Sequence, residues 1–238
     1  MKMYENYIFD LYGTLVDIDT NEARRGLWQK FALFYSYNGA MYKPTELKKS
    51  YLAEAKKEMD SNTKTKYPDI DVKRVFKRLF AYKGIEAKEE LIEQTAKLFR
   101  LLSLNYIRLY PGALDLLENL KAKGKKVYML SNGQRCYTVP ELKYLGIHDY
   151  FDGLYSSSDI EICKPDPAFF QHLIKEHNIY ISRSVFIGND DLADVEGAKG
   201  IGMDSIYIHS NLSRDITEVD STYEIWDGDL SKVLEFKR

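Results

Sequence analysis

The sequence contains few of the residues that cross-link or metallate small proteins. Its 238 residues include two cysteines, Cys136 and Cys163, and four histidines, and neither set has the spacing of a metal site or a redox motif. A disulfide framework and a zinc site built from cysteine and histidine are therefore excluded. Reduced thiols are typical of an intracellular protein, so we expect a cytoplasmic location.

Long apolar runs and a strong excess of one charge are also missing. No hydrophobic stretch approaches the roughly 20 residues that span a bilayer, and the first residues lead into a strand pattern without a signal-peptide core. The net charge of −2 favours no polyanionic partner. We therefore expect neither a membrane nor a nucleic acid as partner, and a monomer or a homodimer.

What the sequence does contain is a change of pattern along its length. A short strand pattern at residues 7–9 is followed by a region of helical periodicity without a convincing strand. Strands and helices then alternate. The first set of predicted helices covers residues 21–37, 44–59, 72–82 and 88–108. The later strands are predicted at residues 126–130, 153–156, 184–187 and 204–208, with helices at residues 111–124, 139–145, 167–177 and 192–199.

Alternation of this kind predicts an α/β fold with a Rossmann-like, doubly wound and mainly parallel sheet. The core domain would comprise residues 1–16 and 109–238, and residues 17–108 would form an inserted all-helical cap, or lid. The cap region holds 19 Lys and Arg against 13 Asp and Glu, although most of these side chains are expected to be solvated surface. A basic lid on an acidic core favours an anionic small-molecule substrate.

A carboxylate follows the first strand pattern where the chain turns. Ligands bind at the carboxyl ends of strands in open α/β sheets, and Asp10 at such a position can attack phosphorus or carbon to form a covalent intermediate. The stretch Asp-Leu-Tyr-Gly-Thr-Leu at residues 10–15 resembles the first motif of the haloacid dehalogenase-like (HAD) hydrolase superfamily, in the subfamily with a helical cap between the first and second motifs. The resemblance implies that Asp10 is the nucleophile and that Thr14 orients it; capping of the turn is the alternative for Thr14.

Two later segments match the second and third motifs of that superfamily. Ser131 and Asn132 follow a buried strand pattern, where a hydroxyl and backbone N–H groups can hold phosphoryl or carboxylate oxygens. Lys164 precedes Pro165 and Pro167, which stiffen the backbone before a helix. The resemblance implies that Lys164 neutralises the nucleophile and the incoming anion, and that it binds the substrate together with Ser131 and Asn132.

Carboxylates cluster after another apolar strand, where the fourth motif is expected. Asp190, Asp191 and Asp194 lie within five residues and would repel one another unless a cation or a lysine compensates. Hard oxygen ligands of this kind suit Mg²⁺. The superfamily pattern has an acidic ligand directly after the glycine, where this chain has Asn189. A shift by one residue makes Asp190 the metal ligand and Asp194 its partner, which would hold Lys164 or a metal-bound water. Asn189 and Asp191 are alternative ligands, and helix capping is the alternative role for one of the acidic residues.

Position 12 separates two chemistries. Phosphatases of the superfamily carry a second aspartate here as proton donor, and such general acid–base catalysis is worth about 10²–10⁴-fold in rate. This chain has Tyr12, as the 2-haloacid dehalogenases do. A phenol with a pKa near ~10 is a poor base at neutral pH. The side chain of Tyr12 can still contact substrate, and its backbone carbonyl can join Asp10 in holding Mg²⁺.

The remaining features divide between the same two enzymes. Dehalogenases of the superfamily bind no metal and carry Ser and Asn where this chain has its acidic cluster. Their tyrosine six residues after the lysine is Phe170 here, and their cap arginine has only Arg24 or Arg25 as candidate counterparts. The acidic cluster favours the phosphatase more strongly than Tyr12 favours the dehalogenase, because closely spaced carboxylates are electrostatically costly without a cation.

We therefore expect a Mg²⁺-dependent phosphatase of a small phosphorylated metabolite, acting through an aspartyl-phosphate at Asp10. A metal-independent 2-haloacid dehalogenase is the first alternative. A catalytically weak protein that binds a phosphorylated ligand and signals through lid closure is the second, because a fold alone does not establish catalysis.

Overall fold

A computed structural model describes residues 2–237 of the chain. Within them, the strands are β1 (Asn6–Phe9), β2 (Val16–Thr20), β3 (Leu104–Leu109), β4 (Lys126–Ser131), β5 (Gly153–Ser156), β6 (Ser184–Gly188), β7 (Asp204–Ile208) and β8 (Tyr223–Ile225). The α-helices are α1 (Arg25–Tyr37), α2 (Pro44–Ser61), α3 (Val72–Ala81), α4 (Glu89–Ser103), α5 (Ala113–Ala122), α6 (Arg135–Tyr144), α7 (Pro167–His177) and α8 (Gly197–Gly200).

Six of these strands form one sheet, in the spatial order β5-β4-β1-β6-β7-β8, and every pair of neighbours is parallel. Side chains alternate between its two faces: Tyr7 and Phe9 pack with Leu117 of α5, whereas Ile8 packs with Phe169 of α7. Helices therefore cover both faces, which confirms the predicted Rossmann-like, doubly wound and parallel fold. Because β1 lies between β4 and β6, the carboxyl ends of these three strands meet at one edge.

Helices α1 to α4 enclose a separate aromatic core. Phe31 is fully buried, and its ring centroid lies 5.1 Å from that of Phe99 and 5.7 Å from that of Phe76. Trp28 and Tyr35 of the same helix α1 are buried beside it. Aromatic side chains at helical spacing thus serve packing here.

A two-stranded antiparallel ribbon joins these helices to the sheet, and it corrects the sequence-based expectation. The region between residues 17 and 109 was expected to contain no strand, with a helix over residues 88–108, but β2 pairs with β3 and α4 ends at Ser103. Ile18 lies opposite Ile107 in this ribbon. Cross-strand pairing of this kind stabilises two segments that are far apart in sequence, so neither segment alone revealed it.

Buried polar contacts hold the ribbon together at Asp17. Arg108 Nε donates to Asp17 Oδ2 at 2.8 Å, and Tyr106 and Asn211 each donate to Asp17 Oδ1 at 3.1 Å. Burial alone would raise the pKa of Asp17, but these hydrogen bonds lower it below its ordinary value. The carboxylate therefore stays ionised and ties β2 to both β3 and the loop after β7.

The loop between α2 and α3 docks on the segment that leads to Lys164. The backbone carbonyl of Glu161 accepts hydrogen bonds from Asn62 Nδ2 at 2.7 Å and from the Asp69 N–H at 3.0 Å. Ser157 Oγ donates to Asp69 Oδ2 at 2.5 Å. Burial raises the pKa of Asp69. The helical region therefore contacts the sheet domain through this loop as well as through the ribbon.

Two further elements differ from the sequence-based prediction. Residues 191–196 form a π-helical turn that continues into α8, instead of a regular helix over residues 192–199. The short strand β8 was not predicted, because three residues carry too little pattern to distinguish a strand from a loop. None of the helices in residues 2–237 has both the length and the apolar character needed to cross a bilayer.

Candidate active site

Asp10 lies at the carboxyl end of β1 and receives hydrogen bonds from two other segments. Its Oδ1 atom accepts from Lys164 Nζ at 2.7 Å and from Ser131 Oγ at 3.1 Å. Among residues 2–237, its Oδ2 atom accepts a hydrogen bond only from the Thr14 hydroxyl, at 3.4 Å. Asp10 as a whole residue is 6% exposed. Four of the sequence-predicted residues therefore converge within hydrogen-bonding distance although they are as many as 154 positions apart.

Lys164 is shared by two buried carboxylates. Its Nζ atom lies 2.7 Å from Asp10 Oδ1 and 2.7 Å from Asp194 Oδ1, and the lysine is 3% exposed. Burial alone would lower the pKa of Lys164, but the two negative charges raise it above its ordinary value. The lysine therefore remains charged at the centre of the cluster.

Asn132 holds the backbone of Lys164 in place. The Lys164 N–H donates to Asn132 Oδ1 at 2.8 Å, and Asn132 Nδ2 donates to the Lys164 carbonyl at 3.1 Å. Both polar ends of the amide are thus used within the protein. The sequence suggested a substrate contact for Asn132, and the geometry adds a clamp between the end of β4 and the lysine loop.

Asp194 has both carboxylate oxygens occupied by protein donors. Oδ1 accepts from Lys164 Nζ, and Oδ2 accepts from the Asp190 N–H at 3.0 Å. Burial raises the pKa of Asp194, and the charge of Asp10 raises it further against the opposing effect of Lys164. A Cβ atom at Gly188 would lie 2.3 Å from Asp194 Oδ2, so only glycine admits this carboxylate at the end of β6. The arrangement suits a residue that holds Lys164.

The other members of the acidic cluster have different surroundings. Asp190 Oδ1 accepts from the N–H groups of Leu192 at 2.9 Å and Ala193 at 2.7 Å, which caps the following turn. Asp191 pairs with Arg214, whose guanidinium also lies 3.7 Å from Asp190 Oδ1, and Asp191 does not line the pocket of Asp10. Asn189 Oδ1 lies 3.3 Å from the Thr14 hydroxyl.

The oxygen donors beside Asp10 fit a magnesium ion. No set of three or more His, Cys, Asp or Glu side chains in residues 2–237 forms a ready metal site. However, Asp10 and Asp190 both line the same pocket, and their Oδ2 atoms accept no hydrogen bond shorter than 3.4 Å from the described residues. Mg²⁺ in phosphoryl-transfer sites takes one or two carboxylates together with water and substrate oxygens, so this donor set matches its chemistry.

The Tyr12 ring lies beside the pocket while its hydroxyl is directed elsewhere. Tyr12 Oη donates to Glu141 Oε2 at 2.5 Å, and Arg100 Nε donates to Glu141 Oε1 at 2.6 Å. A Cβ atom at Gly133 would lie 3.5 Å from Tyr12 Cε2, so the ring packs over the second motif. Burial and the neighbouring Glu141 raise the pKa of Tyr12 well above its ordinary value, because both disfavour the phenolate.

Two predicted candidates are not brought to the pocket. Arg24 and Arg25 are exposed at the start of α1, and the Arg24 guanidinium donates to Asn105 on the ribbon. Phe170 is buried in the core against Phe186. The pocket itself has a volume of about 200 Å³. Its lining residues are Asp10, Tyr12, Ser131, Asn132, Lys164, Asn189, Asp190, Ala193, Asp194 and Leu212.

Sequence comparison identifies the family of the chain. The profile of the haloacid dehalogenase-like hydrolases matches residues 4–202, which is most of the chain. The chain belongs to this HAD hydrolase family. The resemblance that the four motifs indicated is thereby confirmed, and the protein is a hydrolase by family.

Individual relatives include enzymes with different substrates. Pyrimidine 5′-nucleotidase PynA of Streptococcus pneumoniae is 26% identical over 235 residues, covering 94% of this HAD protein and 91% of PynA. The glyceraldehyde 3-phosphate phosphatase of Methanothermobacter thermautotrophicus is 30% identical over 132 residues. The match covers 54% of this chain, and the chain spans 58% of the length of that relative. The structure of a 2-haloacid dehalogenase from Pseudomonas syringae pv. Tomato aligns with a TM-score of 0.68 at 22% identity, covering 98% of this chain and 97% of the dehalogenase. That last likeness shows a common fold.

Sequence analysis of this HAD hydrolase did not identify Glu141 or Arg100. Both are ordinary charged residues within helical patterns, at α6 and at the end of α4. Their partner Tyr12 was singled out, but its contact with Glu141 spans 129 positions. No local signal distinguishes such a pair from solvated surface charges, so only the folded arrangement reveals it.

Gly13→Ala should destabilise the protein through the first motif. Gly13 has φ +89°, and an added Cβ would lie 2.4 Å from Asn189 Nδ2. We expect a loss of about 1–3 kcal/mol in the free energy of unfolding from backbone strain, with a further loss from the clash. Gly124→Ala is the matched control, because Gly124 has φ +65° but open space around it. Equal losses for the two variants in urea unfolding would contradict the close packing of Asn189 on Gly13.

Proposed function

We propose that this HAD hydrolase is a Mg²⁺-dependent phosphatase of small phosphorylated metabolites that acts through an aspartyl-phosphate at Asp10. The observation that carries the proposal is the shared Lys164, whose Nζ atom lies 2.7 Å from both Asp10 and Asp194. A cationic pocket floor beside a carboxylate nucleophile suits a dianionic phosphoryl group. The phosphatase and nucleotidase names of its relatives support the same substrate class.

The hydrogen bonds of Asp10 constrain its two carboxylate oxygens differently. Oδ1 is held by Lys164 and Ser131, whereas Oδ2 lies 3.4 Å from the Thr14 hydroxyl. In the first step one carboxylate oxygen of Asp10 bonds to phosphorus as the bond to the leaving oxygen breaks. In the second step water attacks the phosphorus, gives up a proton that balances the departed alkoxide, and releases phosphate and the carboxylate. Lys164 and Ser131 lie where they can hold phosphoryl oxygens in both steps.

Magnesium would be held by Asp10 and Asp190, with the Tyr12 carbonyl as a third protein oxygen. When bound, it would neutralise negative charge on the phosphoryl oxygens. Asp194 is better suited to fix Lys164, because both its oxygens already accept hydrogen bonds. Asn189 would orient Thr14, and Asp191 would serve the surface pair with Arg214.

We assign residues 17–108 as a lid and residues 1–16 and 109–238 as the core. The aromatic cluster of α1 to α4 supports this division, as does the ribbon of β2 and β3 that connects the two parts. A closed lid excludes water from the covalent intermediate and contributes to substrate selection.

Tyr12→Asp should accelerate the hydrolysis of alkyl phosphates. The Tyr12 phenol is bound to Glu141 and has a raised pKa, so the wild-type protein lacks a proton donor at this position for a poor leaving group. We expect an aspartate here to raise turnover of an alkyl phosphate by at least about tenfold relative to p-nitrophenyl phosphate. Tyr12→Asn is the matched control, since it has the same size without the acid. If the two variants behave alike, the missing acid does not limit the reaction.

The 2-haloacid dehalogenase remains the second candidate because Tyr12 is typical of those enzymes. One panel separates the two functions: phosphorylated metabolites and 2-chloropropionate, each assayed with Mg²⁺ and with EDTA. The proposal expects phosphate release that requires Mg²⁺ and no chloride release. Chloride release in EDTA without any phosphate release would replace the phosphatase by the dehalogenase.

A further inference from the structure

A chain of three side chains connects the helical region to the loop that carries Asp10. Arg100 lies in the last turn of α4, Glu141 on α6, and Tyr12 two residues after the nucleophile. Arg100 Nε donates to Glu141 Oε1 at 2.6 Å, and Tyr12 Oη donates to Glu141 Oε2 at 2.5 Å. Arg100 Nη2 also donates to Glu141 Oε2, at 3.5 Å, so this one carboxylate bridges the lid and the nucleophile loop.

The connection is more buried than another ion pair across the same boundary. The side chains of Arg100 and Glu141 are 16% and 8% exposed, whereas those of Arg74 and Glu161 are 40% and 29% exposed. A buried ion pair gains little net stability, because desolvation offsets the attraction between the charges. Stability alone therefore gives little reason for Arg100 and Glu141 to be placed there.

The surrounding rings restrict Arg100 further. Its guanidinium carbon lies 5.5 Å from the centroid of the Tyr12 ring and 5.3 Å from that of the Tyr137 ring. Cation–π contacts of this kind and the hydrogen bonds to Glu141 act on the same group. Arg100 of α4 therefore contacts both the Tyr12 ring and the carboxylate that binds its hydroxyl, and this ring lies over Gly133 at the edge of the pocket.

We propose that Arg100 and Glu141 are positioning residues that act through Tyr12 and that complete the leaving-group wall of the pocket when the lid is docked. The inference rests on the proposed phosphatase function. The leaving group of an ester would pack against the Tyr12 ring, whereas a bare phosphate would contact only the Lys164 side of the pocket. Loss of the connection therefore affects esters and spares inorganic phosphate.

Kinetic constants of Tyr12→Phe, Glu141→Gln and the double variant test this inference. Tyr12→Phe keeps the ring and the Arg100–Glu141 pair, so it is the variant least expected to disturb folding. We expect each single variant to raise KM for a phosphomonoester about tenfold, the size expected for loss of a hydrogen bond to a charged group. The double variant should be no worse than the more affected single one, because both changes break the same contact.

Glu161→Gln is the matched control, since it removes a charge from the other lid–core ion pair without touching Tyr12. It should leave KM within about twofold of wild type. The Kd of inorganic phosphate, measured by calorimetry, should stay unchanged in all variants. A merely structural role would weaken phosphate binding and lower the unfolding midpoint together with the kinetic effect.

The outcomes separate this inference from the proposed function. If the wild-type protein hydrolyses no phosphomonoester in Mg²⁺, the phosphatase proposal and the inference resting on it both fail. If the wild type is active but KM is unchanged, or if the two substitutions are additive, only the positioning role is overturned. The positioning role is also overturned if the Kd of inorganic phosphate rises by the same factor as KM.

Discussion

Asp10→Asn is expected to lower the turnover of phosphomonoesters by about 10³-fold or more, because the variant lacks the attacking carboxylate. The fold should survive the change. Lys164 keeps its ion pair with Asp194 at 2.7 Å, so no charge is left without a partner. The amide oxygen of the asparagine can still accept from Ser131. Steady-state rates and thermal unfolding of the same preparation measure the two effects separately.

The structure further predicts the direction of the stability change in this variant. Lys164 compensates two buried carboxylates, and the charge of Asp10 raises the pKa of Asp194, which is a sign of repulsion between them. Removing one of the two charges relieves that repulsion. We therefore expect the unfolding free energy of Asp10→Asn to equal or exceed that of wild type.

Asp191→Asn provides the matched control for the nucleophile. The same substitution there removes a carboxylate from the fourth motif, where Asp191 pairs with Arg214 and does not line the pocket of Asp10. Its turnover should remain close to that of wild type. A similar collapse of activity in both variants would mean that the acidic cluster as a whole, and not Asp10 in particular, carries the chemistry.

The central part of the fold could be predicted because its signals are local. Except for β8, the strands of the parallel sheet are short segments with a strand pattern, and at least one α-helix separates each of them from the next along the chain. The polar residues Asp10, Ser131 and Lys164 follow strands or precede a helix, so their convergence follows from the topology of the sheet. Their order along the chain was therefore sufficient to expect a common site.

The ribbon of β2 and β3 could not be predicted in the same way. Leu104–Leu109 continues the helical pattern of α4, so the sequence predicted a helix that extends to residue 108. What ends the helix is pairing with Val16–Thr20, more than 80 positions away, together with the buried Asp17 that binds Arg108 and Tyr106. Such pairing depends on where the rest of the chain has folded.

The contacts of Tyr12 in the active site could not be predicted from the sequence for the same reason. The sequence showed that position 12 carries no acid, but it did not show which residue the Tyr12 hydroxyl binds. Glu141 and Arg100 come from helices in different parts of the chain, and only their packing brings two rings and an ion pair together. The contacts of the Tyr12 side chain in the first motif thus depend on Glu141 and Arg100, which belong to none of the four motifs.

Lys164→Met should have the largest effect on both activity and folding. It removes the cation from between Asp10 and Asp194, which are 6% and 2% exposed. Breaking a buried ion pair from one side costs about 3–5 kcal/mol, because the remaining charge is left without compensation. Here two carboxylates lose the same partner, so we expect a loss in this range or above it in urea unfolding. Phosphatase activity should be abolished.

The double variant Lys164→Met, Asp194→Asn tests whether charge causes that loss. Removing one of the two stranded carboxylates should recover a substantial part of the unfolding free energy, while activity stays absent. Lys175→Met on the exposed face of α7 is the control for exchanging a lysine for an apolar side chain, and it should change stability by less than about 0.5 kcal/mol. If the double variant is no more stable than Lys164→Met, the lysine acts through packing of its side chain, and the electrostatic account of the cluster fails. Recovery without activity would instead separate the two tasks of Lys164: its charge allows the buried carboxylates to coexist, and its contact with Asp10 serves the reaction.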